Sequence, residues 1–406
     1  MIGAMSSPVP SGRVFVRSDL VILGSGAGAV ALAGVTRYAS VGTVLPFVVA
    51  AVAVALLASL VGRCVEQLGD RFGAGATGVL QSALGNLPEL FIGFFALKAG
   101  LVAVVQAAII GSVLGNALLV LGLAFLVGGL RNGPQEFHSG RARTTCALLV
   151  VATSALVVPS LAAYVHLPAE RHETTLSVIV SLVLLLVFGL SLPASLSRQG
   201  APGAGAGAGA GSAPAGSVGA GSRAAGSVAG PRAAAGSAPT GSAAATEDRP
   251  HEAPRWPTWL AVGLLALASV LAALVSDWFV HALEPAIETL HISQAFAGLV
   301  VVAIAGNAIE NVVGIQLAAR NQADYALSVI INSPLQVALV LAPLLVLLSF
   351  FTATTLTLVF APMLVVAVVI SVLGVSLIVY DGESNWLEGV TLIALYAIIA
   401  TVFWWG

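Results

Sequence analysis

The chain has 406 residues, a formal net charge of −2, 58% hydrophobic residues and 8% charged residues. A soluble domain is about 45–50% apolar and about 25% charged, so this composition excludes a soluble protein and indicates an integral membrane protein. Its two cysteines exclude a disulfide framework and give no metal-binding spacing, and no block of basic residues predicts a nucleic-acid partner.

Hydrophobic segments long enough to cross a bilayer recur along the chain after a short tail, residues 1–18. A spanning helix needs about 20 mainly apolar residues, so the sequence predicts an all-α, polytopic membrane protein with about eleven transmembrane helices. The predicted spans are residues 19–39, 43–63, 74–98, 101–128, 144–165, 174–195, 257–280, 292–319, 324–348, 357–380 and 386–405.

Basic residues are distributed unevenly between alternate loops. If the N-terminus is cytoplasmic, only Arg37, Lys98 and Arg171 of the 16 Lys and Arg residues fall outside. Cytoplasmic loops are enriched in Lys and Arg, so this distribution predicts a cytoplasmic N-terminus, an external C-terminus and an uncleaved first span. The preference for Arg over Lys, with abundant Ala and Gly, is typical of a GC-rich bacterium, and we expect the plasma (inner) membrane.

A Gly- and Ala-rich segment, residues 199–256, separates the sixth and seventh spans and contains the run GAGAGAGAGAGS. It has too few bulky apolar side chains to offset the entropy cost of ordering, which predicts a disordered cytoplasmic linker. The linker divides the chain into residues 43–198 and 257–406, with five predicted spans each. Span 19–39 is an extra first helix.

The two halves share residues at a single offset of 221 positions. The matching pairs are Gly85 and Gly306, Asn86 and Asn307, Glu89 and Glu310, Gly93 and Gly314, and Ser112 and Ser333. The first set begins in an odd-numbered span and the second in an even-numbered span, so the repeated helices cross in opposite directions. This predicts two inverted-topology five-helix repeats, which many secondary transporters place around a midplane binding site.

Each half carries a glutamate in an apolar span, within the motifs GNLPE and GNAIE. A charged carboxylate at mid-bilayer costs about 2.5–3.5 kcal/mol on insertion scales. Burial favours the protonated form, and a bound cation compensates the ionised form, so Glu89 and Glu310 are predicted to alternate between proton and cation. Glycine and proline beside them interrupt the helix and free backbone carbonyls. These helix-breaking residues are Gly85, Pro88 and Gly306.

The ligands available in the two motifs are hard oxygens. Asn86 and Asn307 place amide oxygens about one helical turn from Glu89 and Glu310. Ca²⁺ accepts 6–8 oxygen ligands in irregular geometry, and the absence of nearby Cys and His in the sequence disfavours zinc or a soft metal. Two carboxylates carry a charge of −2 when ionised, which either one divalent ion or two protons can balance. The predicted metal ligands are therefore Glu89 and Glu310, with Asn86 and Asn307 beside them.

Polar residues on the fourth and ninth spans could complete the coordination, or simply hydrogen-bond between helices. These possible neighbours of the site are Gln106, Ser112, Asn116, Asn332, Ser333 and Gln336. Either motif alone could be a structural helix contact, but two copies at one offset favour a functional pair. The six histidines are expected to be peripheral, and Asp324 is expected to pair with Arg320.

Four stretches carry a family resemblance: residues 85–130, 135–138 (QEFH), 306–350 and 381–398. They resemble the Ca²⁺/H⁺ antiporters, the cation/proton exchanger (CAX) family of the Ca²⁺/cation antiporter superfamily. The resemblance implies an eleven-span exchanger that moves Ca²⁺ out of the cytosol against an inward proton flow. It also implies that the motif glutamates, here Glu89 and Glu310, alternate between cation binding and protonation.

The sequence departs from that family at Asn311, where many members have His, at Leu87, where Ala is usual, and at Asn332 and Pro334, which replace a run of small residues. The linker also lacks a strongly acidic run. Exchange of Na⁺, K⁺ or Mn²⁺ for H⁺, and Na⁺-coupled cation exchange, therefore stay open, as does the oligomeric state. A passive channel and an intramembrane hydrolase are further alternatives. Our prediction is a secondary transporter, not an enzyme, with no cofactor besides transported Ca²⁺ and H⁺. Alternating access is expected from rocking spans 1 and 6, or their surroundings, against spans 3, 4, 8 and 9.

Overall fold

Apolar helices joined by short loops make up the computed structural model, which describes residues 15–39, 41–72, 84–198 and 255–405. The helices are α1 Arg17–Tyr38, α2 Val44–Phe72, α3 Leu87–Lys98, α4 Val102–Asn132, α5 Ser139–Tyr164, α6 Glu173–Arg198, α7 Thr258–Leu290, α8 Gln294–Gly306, α9 Ala308–Ala319, α10 Ala323–Phe351, α11 Pro362–Ile378 and α12 Trp386–Trp404. Two short strands are β1 Gln135–Glu136 and β2 Glu383–Ser384.

The helical membrane fold predicted from the sequence is confirmed, but the count of eleven spans is not. Among the described residues, eight helices are long and apolar enough to cross a membrane, or nine if the bent pair α8 and α9 is one span. The third predicted span falls partly on residues 74–83, which lie outside the described ranges. The tenth forms α11, an apolar helix of 17 residues. The predicted tail up to residue 14 and linker residues 199–254 also lie outside the described part.

The tenth predicted span begins as extended chain, and helix α11 starts only at Pro362. The preceding residues bind to side chains of α5 and α6. Ser160 Oγ donates to Leu358 O at 3.0 Å and accepts from Phe360 N at 2.9 Å, while Ser177 Oγ accepts from Leu358 N at 2.9 Å. Because backbone groups at membrane depth need partners, these hydroxyls permit a non-helical segment that hydropathy alone reads as helix.

The internal repeat predicted from paired residues reappears in backbone geometry. Asn86 (φ −92°, ψ 15°) and Asn307 (φ −97°, ψ 13°) precede α3 and α9, which are both 12 residues long. Gly100 and Asn321, at the same offset, both have positive φ, 83° and 59°. Glycine and asparagine are the residues that adopt this conformation most readily after a helix. The two motifs therefore adopt one local structure twice.

A π-helical turn follows in each repeat. It occupies Gly115–Val120 in α4 and Val337–Leu341 in α10. A third π turn, Ala297–Val302, lies in α8. Such turns are rare and concentrate at functional sites, and these three lie on α4, α8 and α10, which pack near the two motifs.

Helices α3, α4, α8, α9 and α10 pack around the centre of the molecule. Helix α1 packs against α2 and α7, which lie along each other, whereas α6 packs against α5 and α10. Among the described residues, α1 and α6, which correspond to predicted spans 1 and 6, thus have different main neighbours. The group that packs together is α1, α2 and α7.

A buried carboxylate ties the start of α1 to α2 and to the end of the linker. Asp19, only 3% exposed, accepts from Arg63 Nε at 3.1 Å, from Trp256 Nε1 at 3.3 Å and from Val16 N at 3.1 Å. The backbone N–H groups of Arg255 and Trp256 donate to Gln67 Oε1. Trp256, the last residue of the predicted linker, is thus buried and hydrogen-bonded to α1 and α2.

Replacing Asp19 with asparagine should lower the stability of the folded protein by about 3 kcal/mol, because it removes the buried one of the two carboxylates that pair with Arg63. Glu66 is a matched control, since it pairs with the same Arg63 at 2.8 Å but its side chain is 53% exposed. Glu66→Gln should cost less than about 1 kcal/mol. The midpoint of thermal unfolding of the purified protein measures both changes, and equal shifts would contradict the ranking.

The sheet joins two loops that belong to different halves of the chain. Gln135 pairs with Ser384 and Glu136 with Glu383 in antiparallel register. Directly after β2, Asn385 caps α12 by accepting from the backbone N–H groups of Leu387 and Glu388, both at 3.0 Å. Such a cap offsets the unpaired N–H groups that every helix start exposes. The segment before α12 therefore serves as a helix start docked on the loop after α4.

Candidate cation and proton site

The break before α3 places Glu89 in the first turn of a helix at the centre of the molecule. Pro88 precedes it in the same turn, where its missing N–H costs no hydrogen bond. The N-terminus of a helix favours negative charge, so the ionised form of Glu89 gains from this placement. The matching break at Gly306 and Asn307 bends the chain by 64° between α8 and α9.

Glu89 is 6% exposed and contacts groups from both halves of the chain. Its Oε1 accepts from Ser112 Oγ on α4 at 2.9 Å. The same oxygen accepts from Nδ2 of Asn307, between α8 and α9. These two donors are neutral, so they stabilise a carboxylate without cancelling its charge.

Asn307 connects the carboxylate to α10 and to α4. Its Nδ2 also donates to Ser112 Oγ at 3.2 Å and to Ala303 O at 3.0 Å, and its Oδ1 accepts from Ser333 Oγ at 3.2 Å. Ser112 and Ser333 are themselves one of the repeat pairs. The sequence-predicted residues Glu89, Asn307, Ser112 and Ser333 therefore form one buried network, which we call the central cluster.

The other motif asparagine, Asn86, lies at the edge of the central cluster. It is buried, and its Nδ2 donates to Gln336 Oε1 on α10 at 3.5 Å. Asn86 and Asn307 thus both bond to side chains of α4 or α10, the helices that carry the predicted neighbours of the site.

Residues of the central cluster line two small cavities. One, about 20 Å³, is lined by Glu89 and Ser112 and by apolar residues of α3, α4, α8 and α10. The other, about 10 Å³, is lined by Ser112, Asn307, Asn116 and Asn311 together with small and apolar residues. A cavity of about 10–15 Å³ or more can hold one water molecule. Ser112 lines both cavities, so the central cluster borders two spaces that are each about the size of one water molecule.

Amide oxygens without partners line the second cavity. Asn116 Nδ2 donates to Ser112 O at 2.9 Å, but its Oδ1 has no hydrogen-bond partner in the described part of the chain. The same holds for Asn311 Oδ1. A buried amide oxygen without a partner carries a desolvation cost, which an ion or a water molecule in this space would relieve. In the sequence, Asn311 differs from a family pattern, and its position one residue after Glu310 is the signal that places it near the site.

Two residues predicted beside the site lie elsewhere. Gln106 Nε2 donates to Thr357 O at 3.0 Å and to Val359 O at 2.9 Å, so its amide holds the extended segment before α11. Asn332 is exposed on α10 and donates to Ser328 Oγ at 3.4 Å. The side chain of Glu310 lies outside the described part of the structure, although its backbone belongs to α9.

Asp324 pairs with His138, in the loop after β1, and not with Arg320 as predicted. Asp324 Oδ1 accepts from His138 N, and Asp324 Oδ2 contacts His138 Nδ1, both at 2.7 Å. His138 follows β1, so this pair links the first half of the chain to the start of α10. The spacing of Arg320 and Asp324 predicts a local i,i+4 pair. Spacing along a helix gives no information about a loop that is distant in the sequence, such as the one that contains His138.

Clusters of acidic, histidine and cysteine side chains do not provide an alternative metal centre in the described residues, where no three such groups converge. A cation in the central cluster would therefore be held by few charges and by several neutral oxygens. Hydroxyl, amide and carboxylate oxygens suit Ca²⁺ and other hard cations.

Substituting alanine for Gly306 should displace Glu89 without altering any charge. A Cβ at this position would meet Glu89 Oε1 at 2.8 Å and crowd its methylene groups. We expect the apparent affinity for the transported cation to fall about tenfold, since misplacing a ligand carboxylate costs roughly 1.4 kcal/mol or more. Gly28→Ala, on α1 with no atom within 4 Å of the new Cβ, is the control. An unchanged Michaelis constant in Gly306→Ala would contradict the assigned contact.

Comparison with known proteins identifies the family. The model of the family described as "Sodium/calcium exchanger protein" matches residues 42–196 and 260–405. This chain belongs to that family. The exchanger is 34% identical over 358 residues to a Ca²⁺/H⁺ antiporter of Aphanothece halophytica, covering 88% of this chain and 89% of the relative. It is also 34% identical over 359 residues to the Ca²⁺/H⁺ antiporter ChaA of Bacillus subtilis, covering 88% and 91%.

Solved structures agree with this assignment. The exchanger superposes on native YfkE with a TM-score of 0.71 at 30% identity, covering 95% of this chain and 99% of that one. The H⁺/Ca²⁺ exchanger CAX gives a TM-score of 0.64 at 15% identity, covering 94% and 92%, and so supports the fold alone. The resemblance to Ca²⁺/H⁺ antiporters inferred from the motifs is confirmed, and with it the prediction of a membrane transporter rather than an enzyme.

Proposed function

We propose that the exchanger exports cytosolic Ca²⁺ across the plasma membrane of a bacterium in exchange for protons. In this proposal Glu89 and Glu310 alternate between holding the cation and holding protons. Two relatives named Ca²⁺/H⁺ antiporter support this exchange, because the chain matches them over most of their length. The observation that carries the proposal within this chain is the burial of Glu89 among neutral oxygen-bearing side chains from both halves.

Competition at Glu89 follows from its surroundings. A buried carboxylate with neutral partners must either bind a proton or hold a cation, since an uncompensated charge inside a membrane protein is expensive. A rise in proton concentration therefore displaces the cation, and a bound divalent ion displaces the protons. With a second carboxylate at Glu310, one Ca²⁺ would balance two protons without a change in the charge of the site.

Cation binding also requires a rearrangement of the central cluster. At present Asn307 directs its Nδ2 toward Glu89 and its Oδ1 toward Ser333 Oγ. A cation beside Glu89 would repel the amide N–H and favour the opposite orientation, with the amide oxygen turned toward the ion. The hydroxyl of Ser112 can make the same change by rotating its proton away, since it is both donor and acceptor. Asn307 and Ser112 would thus exchange hydrogen bonds to Glu89 for ligand bonds to the ion.

Purified exchanger in liposomes with an acidic lumen tests the proposal. We expect Ca²⁺ to accumulate in the lumen as protons leave, in either orientation of the protein, and to stop accumulating when an ionophore collapses the pH gradient. Protein-free liposomes are the control. Uptake that requires a sodium gradient would replace the proposal by Na⁺-coupled exchange, and equilibration without accumulation would indicate a channel. Mn²⁺, Na⁺ and K⁺ in place of Ca²⁺ test selectivity.

The proposed orientation places the N-terminus in the cytoplasm and the C-terminus outside. It rests on the distribution of Lys and Arg between loops. Alkaline phosphatase fused after Gly406 should be active in cells, because that enzyme folds only outside the cytoplasm, and green fluorescent protein fused there should be dark. The reverse pattern would place the C-terminus in the cytoplasm and would contradict the proposed orientation of the protein in the membrane.

A further inference from the structure

The first half of α10 carries four polar residues at four-residue spacing. They are Asp324, Ser328, Asn332 and Gln336, and we call them the α10 stripe. Residues at i and i+4 lie on neighbouring positions of one helix face. The remaining residues of this segment are apolar except Tyr325 and Ser333, and Ser333 points into the central cluster.

Contacts at its two ends connect the stripe to the rest of the molecule, and a contact in the middle joins two of its members. At one end Asp324 pairs with His138 after β1. In the middle Asn332 donates to Ser328. At the other end Gln336 accepts from Asn86, one turn before Glu89. Twelve residues of helix separate Asp324 from Gln336, about 18 Å at 1.5 Å per residue, so the stripe reaches from the loop end of α10 to the central cluster.

The polarity of these exposed or partly exposed side chains indicates a surface that faces water. Asn332 is exposed and its three companions are partly exposed, whereas Leu327, Ile330 and Ile331 between them are buried. An amide facing hydrocarbon leaves polar groups unsatisfied at a cost of several kcal/mol, and polar side chains at this depth normally face a water-filled cavity. A cleft between α5 and α10 begins at the same end, lined by Asp324, Ser328 and His138.

We propose that the α10 stripe is the cytosolic route by which Ca²⁺ reaches the central cluster, with Asp324 as the carboxylate that attracts the ion at its entrance. The identity of the ion as Ca²⁺ and its entry from the cytosolic side both depend on the proposed function. The stripe offers an oxygen ligand about every 6 Å along the helix, which lets a partly dehydrated Ca²⁺ exchange ligands without crossing an apolar gap. Arg141 lines the same cleft, but its side chain is exposed to solvent and screened by it.

Cysteine labelling tests whether the stripe faces water. In a Cys64→Ala, Cys146→Ala background, single cysteines would replace Ser328 or Asn332. We expect a charged, membrane-impermeant methanethiosulfonate to modify both from the cytosolic face of everted vesicles and neither from the other face. With Ca²⁺ at about ten times its apparent dissociation constant, modification should slow about tenfold, because free sites fall by that factor.

Leu373→Cys is the matched control for the labelling. Leu373 is 49% exposed on the apolar helix α11, so its accessibility in the structure reflects a lipid-facing position. Ile330→Cys, 1% exposed on α10 itself, controls for nonspecific opening of the helix bundle. If Asn332→Cys reacts no faster than Leu373→Cys from either face, the stripe faces lipid and the proposal fails. Reaction from the opposite face alone would overturn the cytosolic assignment.

Labelling requires no transport, so it separates failure of the route from failure of the proposed function. Water access with no Ca²⁺ protection, in protein that accumulates Ca²⁺ in liposomes, would overturn the stripe as the ion route. The same result in protein that does not accumulate Ca²⁺ would overturn the assigned ion, and with it the proposal as stated.

Kinetics test the role of Asp324. Asp324→Asn should raise the Michaelis constant for Ca²⁺ applied to the cytosolic face about tenfold, the scale of electrostatic attraction at a charged cleft, and leave the maximal rate unchanged. Asp277→Asn is the control, because Asp277 also contacts a histidine, His281 at 3.6 Å, and its side chain is 34% exposed against 31% for Asp324. Equal Michaelis constants in wild type and Asp324→Asn would remove Asp324 from the route.

Discussion

Replacing Glu89 with glutamine should abolish proton-driven Ca²⁺ accumulation in liposomes, lowering the initial rate by about 100-fold, since loss of one buried charged partner costs about 3 kcal/mol. The fold should survive the change. Glutamine retains an oxygen that can accept from Ser112 and Asn307 as Glu89 does now. The new side chain can neither ionise to hold the cation nor carry a proton, so Ca²⁺ transport and proton transport should be lost together. Glu310→Gln should give the same loss.

Glu284→Gln is the control, because Glu284 is an exposed carboxylate near the end of α7. It should transport at the wild-type rate. The elution profile and thermal midpoint of Glu89→Gln should match those of the wild type, which separates lost chemistry from lost folding. Wild-type uptake by well-folded Glu89→Gln would remove this residue from the mechanism.

Gly111→Ala should destabilise the exchanger by about 3 kcal/mol or more, because its methyl group would enter the backbone of a facing helix. A Cβ on Gly111 would lie 2.7 Å from the carbonyl carbon of Leu299 on α8. The contact is reciprocal, since a Cβ on Gly298 would lie 2.8 Å from Ala107 Cβ on α4. Backbone atoms of a helix cannot move independently, as the end of a flexible side chain can. Helices α4 and α8 would therefore have to move apart where they cross.

Gly115→Ala on the same helix supplies the control, since no atom lies within 4 Å of its new Cβ. Gly111→Ala should give a lower yield of monodisperse protein and a lower thermal midpoint, while Gly115→Ala should resemble the wild type. Small residues at helix crossings allow close backbone approach in membranes. A stable, active Gly111→Ala variant would show that this crossing is not closely packed in the membrane.

The sequence predicted the helical class from local signals, and it indicated the residues of the central cluster through the internal repeat. Apolar runs of about 20 residues identify spans without knowledge of their neighbours. The shared offset that pairs Asn86 with Asn307 and Ser112 with Ser333 marked residues that the fold does bring near Glu89. The same offset also relates Gly100 to Asn321, a pair that differs in identity and matches only in backbone conformation.

Residues whose roles depend on distant partners could not be assigned in this way. Gln106 looked like a neighbour of the site but binds the extended segment before α11. Asp324 looked like half of an i,i+4 pair but contacts His138, far away in the chain. In both cases the partner is contributed by a loop whose position follows from tertiary packing, which periodicity does not encode. The sequence therefore identifies polar residues within the predicted spans, but it does not identify the groups that they contact.

The π turns in α4 and α10 have a consequence for how these helices can change. Each π turn accommodates one residue more than the regular spiral, which rotates the side chains beyond it by about 100° relative to those before it. In α10 the turn Val337–Leu341 lies between the stripe and Leu345, which sits against Gly93 of α3. Deleting a single codon there would leave an intact, equally apolar helix, yet one end would face the wrong neighbours. Length in these spans is therefore as strictly constrained as composition, and insertions or deletions should be confined to the connecting loops.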